Sequence, residues 1–498
     1  MRHLVVCCDG TWNTPEQIRG GVPAPTNVLR FYNAVEENES QLRYYHPGVG
    51  TGPGLLEHIE GGLLGRGLSN NIKSAYAWLA RKYESGDAIC LFGFSRGAFT
   101  VRSLSGMIRA CGLPEALKDA EPAEFWETID SLFDNVYRTQ APATEDMVPV
   151  EFLGVWDTVG SLGIPDSLGL LKIVANLDGH LPRFHDTKLG KHVKHARQAL
   201  ALDEMRGPFM PTLWSNLAEV GEDRTARQVW FPGDHCDIGG GHDRTGLSDG
   251  TLKWMIGEVR DETKLTFRPE IVDQIKPDPQ DVLHDSLRSM YTVLCPAPRA
   301  IPFVTDDSPD VDKSVWKRQQ EPPISAAPYR RGQRLAPGDS ETVDVYAGRP
   351  WNWTGLYLEP GDYELTATGS WLDGQVAHRP DGTEERGGLD LHDLLHALAT
   401  TSAWLQKRLA ELNHDDQVQP FGGRRVEAAP WMALIGAVAA EDVDRQEVQQ
   451  RYDPFLIGSH LEKRHVEKPG YFYAYANDSW LGYTGNRGSV GLTITRLT

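Results

Sequence analysis

Residues 87–102 read DAICLFGFSRGAFTVR, and the fold turns on how this stretch is read. Ala88 to Phe92 is short and almost wholly apolar, the pattern of a strand buried on both faces. It runs directly into Gly93-Phe94-Ser95-Arg96-Gly97, and residues compatible with a helix follow from Ala98. Strand, tight glycine turn and helix are the context that gives G-x-S-x-G its chemical meaning. The serine then sits on a strained turn and projects its hydroxyl from the C-terminal end of the strand. Gly93 and Gly97 carry no side chains, so strand and helix can approach closely. The helix N-terminus brings backbone N–H groups near a reacting oxygen. A glycine turn with an idle serine has the same five letters; the apolar run before it and the helix after it favour a nucleophile.

Upstream, Leu4 to Cys8 reads as a first buried strand and ends in Asp9-Gly10-Thr11-Trp12-Asn13. A loop after an early strand commonly supplies one oxyanion N–H, and Gly10 and Thr11 are the candidates. An ordinary Asp-Gly turn reads the same way. Thr26 to Glu37 has the spacing of an amphipathic helix, and Tyr44-Tyr45 of a short strand. His46 to Gly54, HPGVGTGPG, lacks both the Lys-Ser/Thr of a P-loop and the G-x-G-x-x-G spacing, so it is read as a rim loop or a flexible connector. Asn70 to Glu84 predicts a helix with Ile72, Ala75, Tyr76, Leu79 and Tyr83 on one face. Strands alternating with helices predict an α/β fold with a mainly parallel sheet covered on both sides.

Downstream, Phe152 to Trp156 is the next apolar strand, and Asp157 stands at its C-terminal end. In a parallel sheet those ends share one rim, where sites form. An acid there fits the order Ser…Asp…His; a turn or helix-cap aspartate is the alternative. Arg227 to Phe231 is a further strand, leading into Pro232-Gly233-Asp234-His235. His235 is the candidate base, in a glycine-rich turn after a strand, with His242 in reserve. Asp203 and Asp237 are reserve acids, since neither closely follows an equally clear strand. The chain contains no H-E-x-x-H; His242-Asp243 and His235-x-Asp237 are the chelating alternatives.

At 498 residues the chain has room for two or three domains. A net charge of −19 argues against a nucleic-acid partner and gives no help at an anionic membrane. Six cysteines without CxxC pairs suggest buried thiols in a reducing compartment. Leu4 to Cys8 is too short for a signal peptide, and Trp431 to Ala440 is too short to span a bilayer. The expectation is a soluble protein made in the cytoplasm, with export by a route without a cleaved signal left open. Oligomeric state is not readable.

Residues 296–340 are rich in proline, aspartate and arginine, which predicts an irregular connector wrapping the surface. Beyond it, Thr342 to Tyr346, Thr354 to Leu358, Tyr363 to Ser370 and Val490 to Thr495 alternate in the strand manner, and Trp431 to Ala437 and Tyr471 to Tyr475 read as further strands. The expected division is a catalytic domain over 1–295, a connector over 296–340 and an antiparallel β-sandwich over 341–498, with a helical insertion near 389–412.

DGTWN, TNV, GFSRGAFTVRSL, GVWDTVGSLG, ALDE and WFPGDHCDIGGG occur in that order. Over about residues 1 to 300 this set resembles the DUF2235 alpha/beta hydrolase family, related to the catalytic domain of type VI secretion phospholipase effectors. The resemblance implies a serine hydrolase with Ser95, Asp157 and His235 as its triad; family members of known activity cleave phospholipid esters. On that reading Ser95 attacks an ester carbonyl, His235 takes its proton and Asp157 holds the imidazole. The oxyanion is held by the Arg96 N–H with one from Gly10 or Thr11, and no metal or cofactor takes part. The alternatives are a hydrolase of another acyl bond (amide, thioester, acylated sugar) and a binding protein on an inactive hydrolase scaffold. The tail from Tyr475 to Ser489, with the Pro360-Gly361-Asp362 turn, is similar to the bacterial galactose-binding lectin sandwich. In those lectins this loop binds calcium and sugar together, which implies calcium at Asp478 and Asn486 and carbohydrate near Trp480 and Tyr483. A hairpin loop whose Asn and Asp satisfy turn geometry is the other reading.

Overall fold

The first 231 residues form six parallel strands, five of them expected from the sequence. The structure, a computed structural model, describes residues 1–10, 18–48, 63–139, 147–159, 188–287, 296–324, 328–384, 424–443, 448–480 and 482–498. The strands are β1 (His3–Cys8), β2 (Gln41–His46), β3 (Ala88–Phe94), β4 (Val150–Trp156), β5 (Val193–Ala201) and β6 (Thr225–Phe231). They pair in the order β2-β1-β3-β4-β5-β6, every pair parallel. The chain steps from β1 to β2 on one side and then crosses to β3 on the other. The loops after β1 and β3 therefore diverge and leave a crevice at the strand C-termini.

Successive side chains alternate between two apolar layers. Leu4, Val6, Ile89, Leu91, Leu153 and Val155 face one; Val5, Cys7, Cys90, Phe92, Phe152 and Trp156 face the other. Helices α1 (Asn27–Ala34), α2 (Leu63–Lys82), α3 (Arg96–Cys111) and α4 (Pro122–Leu132) cover the sheet from both sides. Thr26 caps α1 by accepting from the Leu29 N–H at 3.2 Å. Cys7, Cys8, Cys90 and Cys111 are buried free thiols, and burial pushes the Cys8 and Cys90 thiols up.

β5 is a strand the sequence pattern does not announce. Its run VKHARQALA mixes polar residues into a central strand. They are accommodated because each finds a partner. Arg197, 2% exposed, pairs with Glu258 and, at 2.5 Å, with Glu262, while Gln198 donates to the Thr212 carbonyl at 3.2 Å. Asp203 therefore does closely follow a strand, contrary to expectation.

Beyond residue 339 lie two four-stranded antiparallel sheets. Their strands are β7 (Ser340–Tyr346), β8 (Asn352–Leu358), β9 (Gly361–Gly369), β10 (Leu434–Val443), β11 (Val448–Leu456), β12 (His460–Val466), β13 (Gly470–Ala476) and β14 (Ser489–Arg496). The orders are β8-β13-β10-β11 and β12-β9-β14-β7. Leu356, Leu365, Trp371, Leu434, Phe472 and Leu492 share the core between them. The helical insertion expected near 389–412 lies outside the described residues.

The stretch after 296 is not a surface wrap. It contains a helix, Lys313–Gln320, and buries Arg299, Ile301, Val304, Val315, Arg318 and Tyr329. Its polar composition misleads because the arginines are internally bonded. Arg318, for example, donates to the Pro279 and Asp281 carbonyls at 2.7 and 2.8 Å. The apolar members join Leu200 and Trp230 of the parallel sheet to Ala439, Tyr471 and Tyr473 of the sandwich in one cluster.

Candidate active site

Ser95 stands between β3 and α3 with φ 58° and ψ −122°, a conformation sparsely populated by residues with a side chain. Its amide donates to the Trp156 carbonyl at 3.0 Å, and its side chain makes no capping bond to α3. The sharp turn depends on two glycines. A Cβ on Gly97 would lie 2.0 Å from the Cys8 carbonyl oxygen, and one on Gly93 would lie 2.4 Å from the Gly97 carbonyl oxygen. α3 thus presses its first turn against the end of β1.

Asp157 also has positive φ, 40°, and no exposed surface. Its Oδ1 accepts the Ala201 N–H at 3.0 Å, and its Oδ2 lies 2.6 Å from His235 Nδ1. An ionised carboxylate only accepts, so Nδ1 carries the proton and Nε2 presents its lone pair. Among the described residues Nε2 is buried and has no hydrogen-bond partner. The imidazole is held between the Phe94 ring, 4.5 Å away, and the Phe209 ring at 5.0 Å. Phe94 is the residue before Ser95, so the ring contact sets His235 beside the serine turn.

His235 opens a short helix, α5 (His235–Gly239), rather than the expected glycine turn. The reason is a capping box: Asp234 accepts from the Asp237 N–H while Asp237 accepts from the Asp234 N–H. The reserve residues are engaged elsewhere. Asp203 accepts from the Gly233 N–H at 2.8 Å, from the Tyr329 hydroxyl at 2.7 Å and from Arg330 Nε at 2.9 Å. Asp237 pairs with His284 at 2.7 Å, and His242 with Asp234 at 3.0 Å.

The residue that sequence reasoning missed is Arg299. Its guanidinium forks onto both Asp157 oxygens, at 2.6 and 2.9 Å, and neither side chain has any exposed surface. Burial alone pushes the Asp157 carboxyl up. The Arg299 charge and the hydrogen bonds from His235 and Arg299 outweigh it and hold the group well below the usual carboxylate range. Glu204 was also missed: it accepts the His235 backbone N–H at 3.2 Å and pairs with Arg206 at 2.7 Å. The sequence gives Arg299 no signal, but Glu204 stands one residue from the reserve acid Asp203.

Of the oxyanion candidates, Arg96 begins α3 beside Ser95. The Gly10 N–H donates to Asp9 Oδ1 at 2.8 Å, so it is already engaged, and Thr11 lies outside the described residues. Asp9 itself is gripped by the Thr26 and Tyr45 hydroxyls, at 2.5 and 2.8 Å, which fixes the start of the loop after β1.

Asp237, His242 and His284 bring one oxygen and two nitrogens within 4.8 Å of one another. The two rings lie face to face, 3.7 Å apart and 14° from parallel, so lone pairs in the ring planes do not converge on one point. In the sandwich, Asn486 Nδ2 donates to Asp478 Oδ2 at 2.8 Å, and the Ser479 N–H takes Oδ1 at 2.6 Å. Asn486 Oδ1 is buried and has no hydrogen-bond partner among the described residues, so each residue of the expected pair keeps an oxygen donor. The Arg425 guanidinium lies 4.1 Å from the Trp480 ring centre and 5.7 Å from that of Tyr483, the two rings on which a sugar was expected to stack.

Residues 2–258 match the family described as type VI secretion system phospholipase effector Tle1-like, catalytic domain. The chain belongs to this family. The Tle1-like chain is also 33% identical over 238 residues to the uncharacterized protein YEL023C of Saccharomyces cerevisiae, covering 42% of this chain and 32% of that one. It thus spans about a third of the length of that curated relative. Among solved structures it is similar to an uncharacterized protein from Pseudomonas aeruginosa, with TM-score 0.36 and 15% identity over 66% of this chain and 52% of that one. The Tle1 effector bound to the VgrG spike gives TM-score 0.30 and 16% identity, over 49% and 52% of the two chains. The PllA-like lectin N-terminal domain of EclA gives TM-score 0.19 and 15% identity, over 31% and 94%. No helix among the described residues of the Tle1-like chain is long and apolar enough to cross a membrane.

Proposed function

We propose that the chain is a serine hydrolase that cleaves a carboxylic ester of a lipid through Ser95, His235 and Asp157. The observation that carries the reading is the buried His235–Asp157 pair, 2.6 Å apart, with Nε2 left unpartnered and the imidazole against Phe94, the residue before a serine at φ 58°. Ser95 Oγ attacks the ester carbonyl carbon as Nε2 takes its proton. The oxyanion is met by the Arg96 N–H at the start of α3. His235 returns the proton to the leaving alcohol, and water repeats the sequence on the acyl-enzyme. Asp157 keeps the proton on Nδ1 throughout and balances the imidazolium.

The lipid part rests on the phospholipase family to which the chain belongs. Labelling by a fluorophosphonate probe tests the nucleophile. Wild type is expected to label and to release fatty acid from phosphatidylcholine vesicles, and Ser95→Ala and His235→Ala to do neither. A folded wild-type protein that does not label sinks the triad. One that labels but cleaves only short water-soluble esters sinks the lipid substrate.

A further inference from the structure

Resting on that triad reading, we infer that Arg299 is a positioning residue of the active site and that the C-terminal sandwich holds it in place. Arg299 bonds both oxygens of Asp157 and also donates to the Ala201 carbonyl at 2.8 Å and the Phe209 carbonyl at 2.5 Å. One guanidinium thus ties the triad acid to the end of β5 and to Phe209, whose ring rests on His235. The planar fork suits this task; a lysine supplies the charge without the geometry.

Arg299 lies outside residues 2–258, and its own backbone belongs to no helix or strand. The sandwich supplies the grip. Trp351 Nε1 donates to the Pro296 carbonyl at 2.5 Å, and the Tyr452 hydroxyl donates to the Pro298 carbonyl. Trp351 stands just before β8 and Tyr452 lies in β11, on one sheet, with their rings 5.3 Å apart. A second tie reaches the base. Arg330 and Tyr329 hold Asp203, Asp203 accepts the N–H of Gly233 two residues before His235, and Arg330 also reaches the Tyr473 hydroxyl at 3.3 Å. Both the acid and the base therefore hang on groups that the sandwich positions.

The arrangement has a consequence for pH dependence. Arg299 balances the Asp157 charge, so less of it remains to draw a proton onto the His235–Asp157 pair. The other charged groups near the pair are engaged with one another: Glu204 with Arg206, Asp234 with His242, Asp237 with His284. With a neutral side chain at 299 the Asp157 carboxyl loses the charge and hydrogen bonds that hold it low, and it is protonated at higher pH. The acid limb of kcat/KM should therefore move up.

The test uses the full chain, with 4-nitrophenyl butyrate turnover across pH and fluorophosphonate labelling. Arg299→Met should label on the order of 10- to 100-fold more slowly, with the acid limb raised by about one pH unit. Arg299→Lys should return the limb close to wild type while recovering only part of the rate. Tyr452→Phe, which removes one hydroxyl, should slow labelling without moving KM. A folded Arg299→Met with wild-type rate and limb overturns the assignment. So does a slower rate with an unmoved limb, since that is mere loss of packing. If Arg299→Met does not fold, wild-type labelling by Tyr452→Phe overturns the sandwich's part. A wild type that never labels sinks the triad and this assignment together, whereas a labelled wild type with an indifferent Arg299→Met sinks this one alone.

Discussion

Ser95 stores strain as a side-chain-bearing residue in a left-handed turn. Glycine adopts φ 58° without the Cβ clash, so Ser95→Gly should stabilise the fold by about 1 kcal/mol while abolishing probe labelling. Ser95→Ala keeps the Cβ and should gain nothing. Urea midpoints of the three proteins separate the cases: a Gly variant no more stable than the Ala variant means that the turn is unstrained. The same residue shows why part of the candidate site was legible. Ser95, Asp157 and His235 each follow an apolar run closely, and a parallel sheet gathers such positions on one rim. Arg299 had no such marker. It is one of 50 lysines and arginines, in a proline-rich stretch, and its partner lies 142 residues away. Only the folded chain brings the two together.

The decisive contact between elements is that of α3 with the end of β1. Gly97 lets the first turn of α3 sit on the Cys8 backbone, and that approach sets both the serine turn and the loop carrying Asp9 and Gly10. A Cβ there meets backbone, which has little room to yield. Gly97→Ala should therefore cost about 1–3 kcal/mol and slow labelling of Ser95, read from urea midpoints and labelling rates. An Ala variant with wild-type stability would mean that α3 can move off β1 freely. Strands with apolar runs were readable at this scale because burial on both faces leaves a simple pattern. β5 was not, because its Arg197 and Gln198 are buried through ion pairs and hydrogen bonds to distant residues rather than by being apolar. α5 was missed for a local reason: the Asp234–Asp237 capping box, hidden among glycines, starts a helix where the glycines suggested only a turn.

Across the whole molecule, the parallel sheet and the sandwich share a core. Leu200, Leu202 and Trp230 come from the parallel sheet and its edge, Ala300, Ile301, Val304, Val315 and Tyr329 from the stretch between, and Ala439, Tyr471 and Tyr473 from the sandwich. Parting the two halves would bare a contiguous apolar surface on each, whereas flexibly tethered domains meet through smaller and more polar contacts. It would also withdraw the Trp351 and Tyr452 bonds from the segment bearing Arg299. The net charge of −19 makes like-charge repulsion a term that favours separation, and the shared apolar cluster opposes it. Calorimetry of the full chain should therefore give one cooperative unfolding transition, and Tyr471→Ala should lower its midpoint without splitting it. Probe labelling followed along the same temperature ramp should disappear with that single transition. Two separate transitions, with labelling that survives the first, would mean that the sandwich melts away from a self-sufficient catalytic half and that nothing in the active site depends on it.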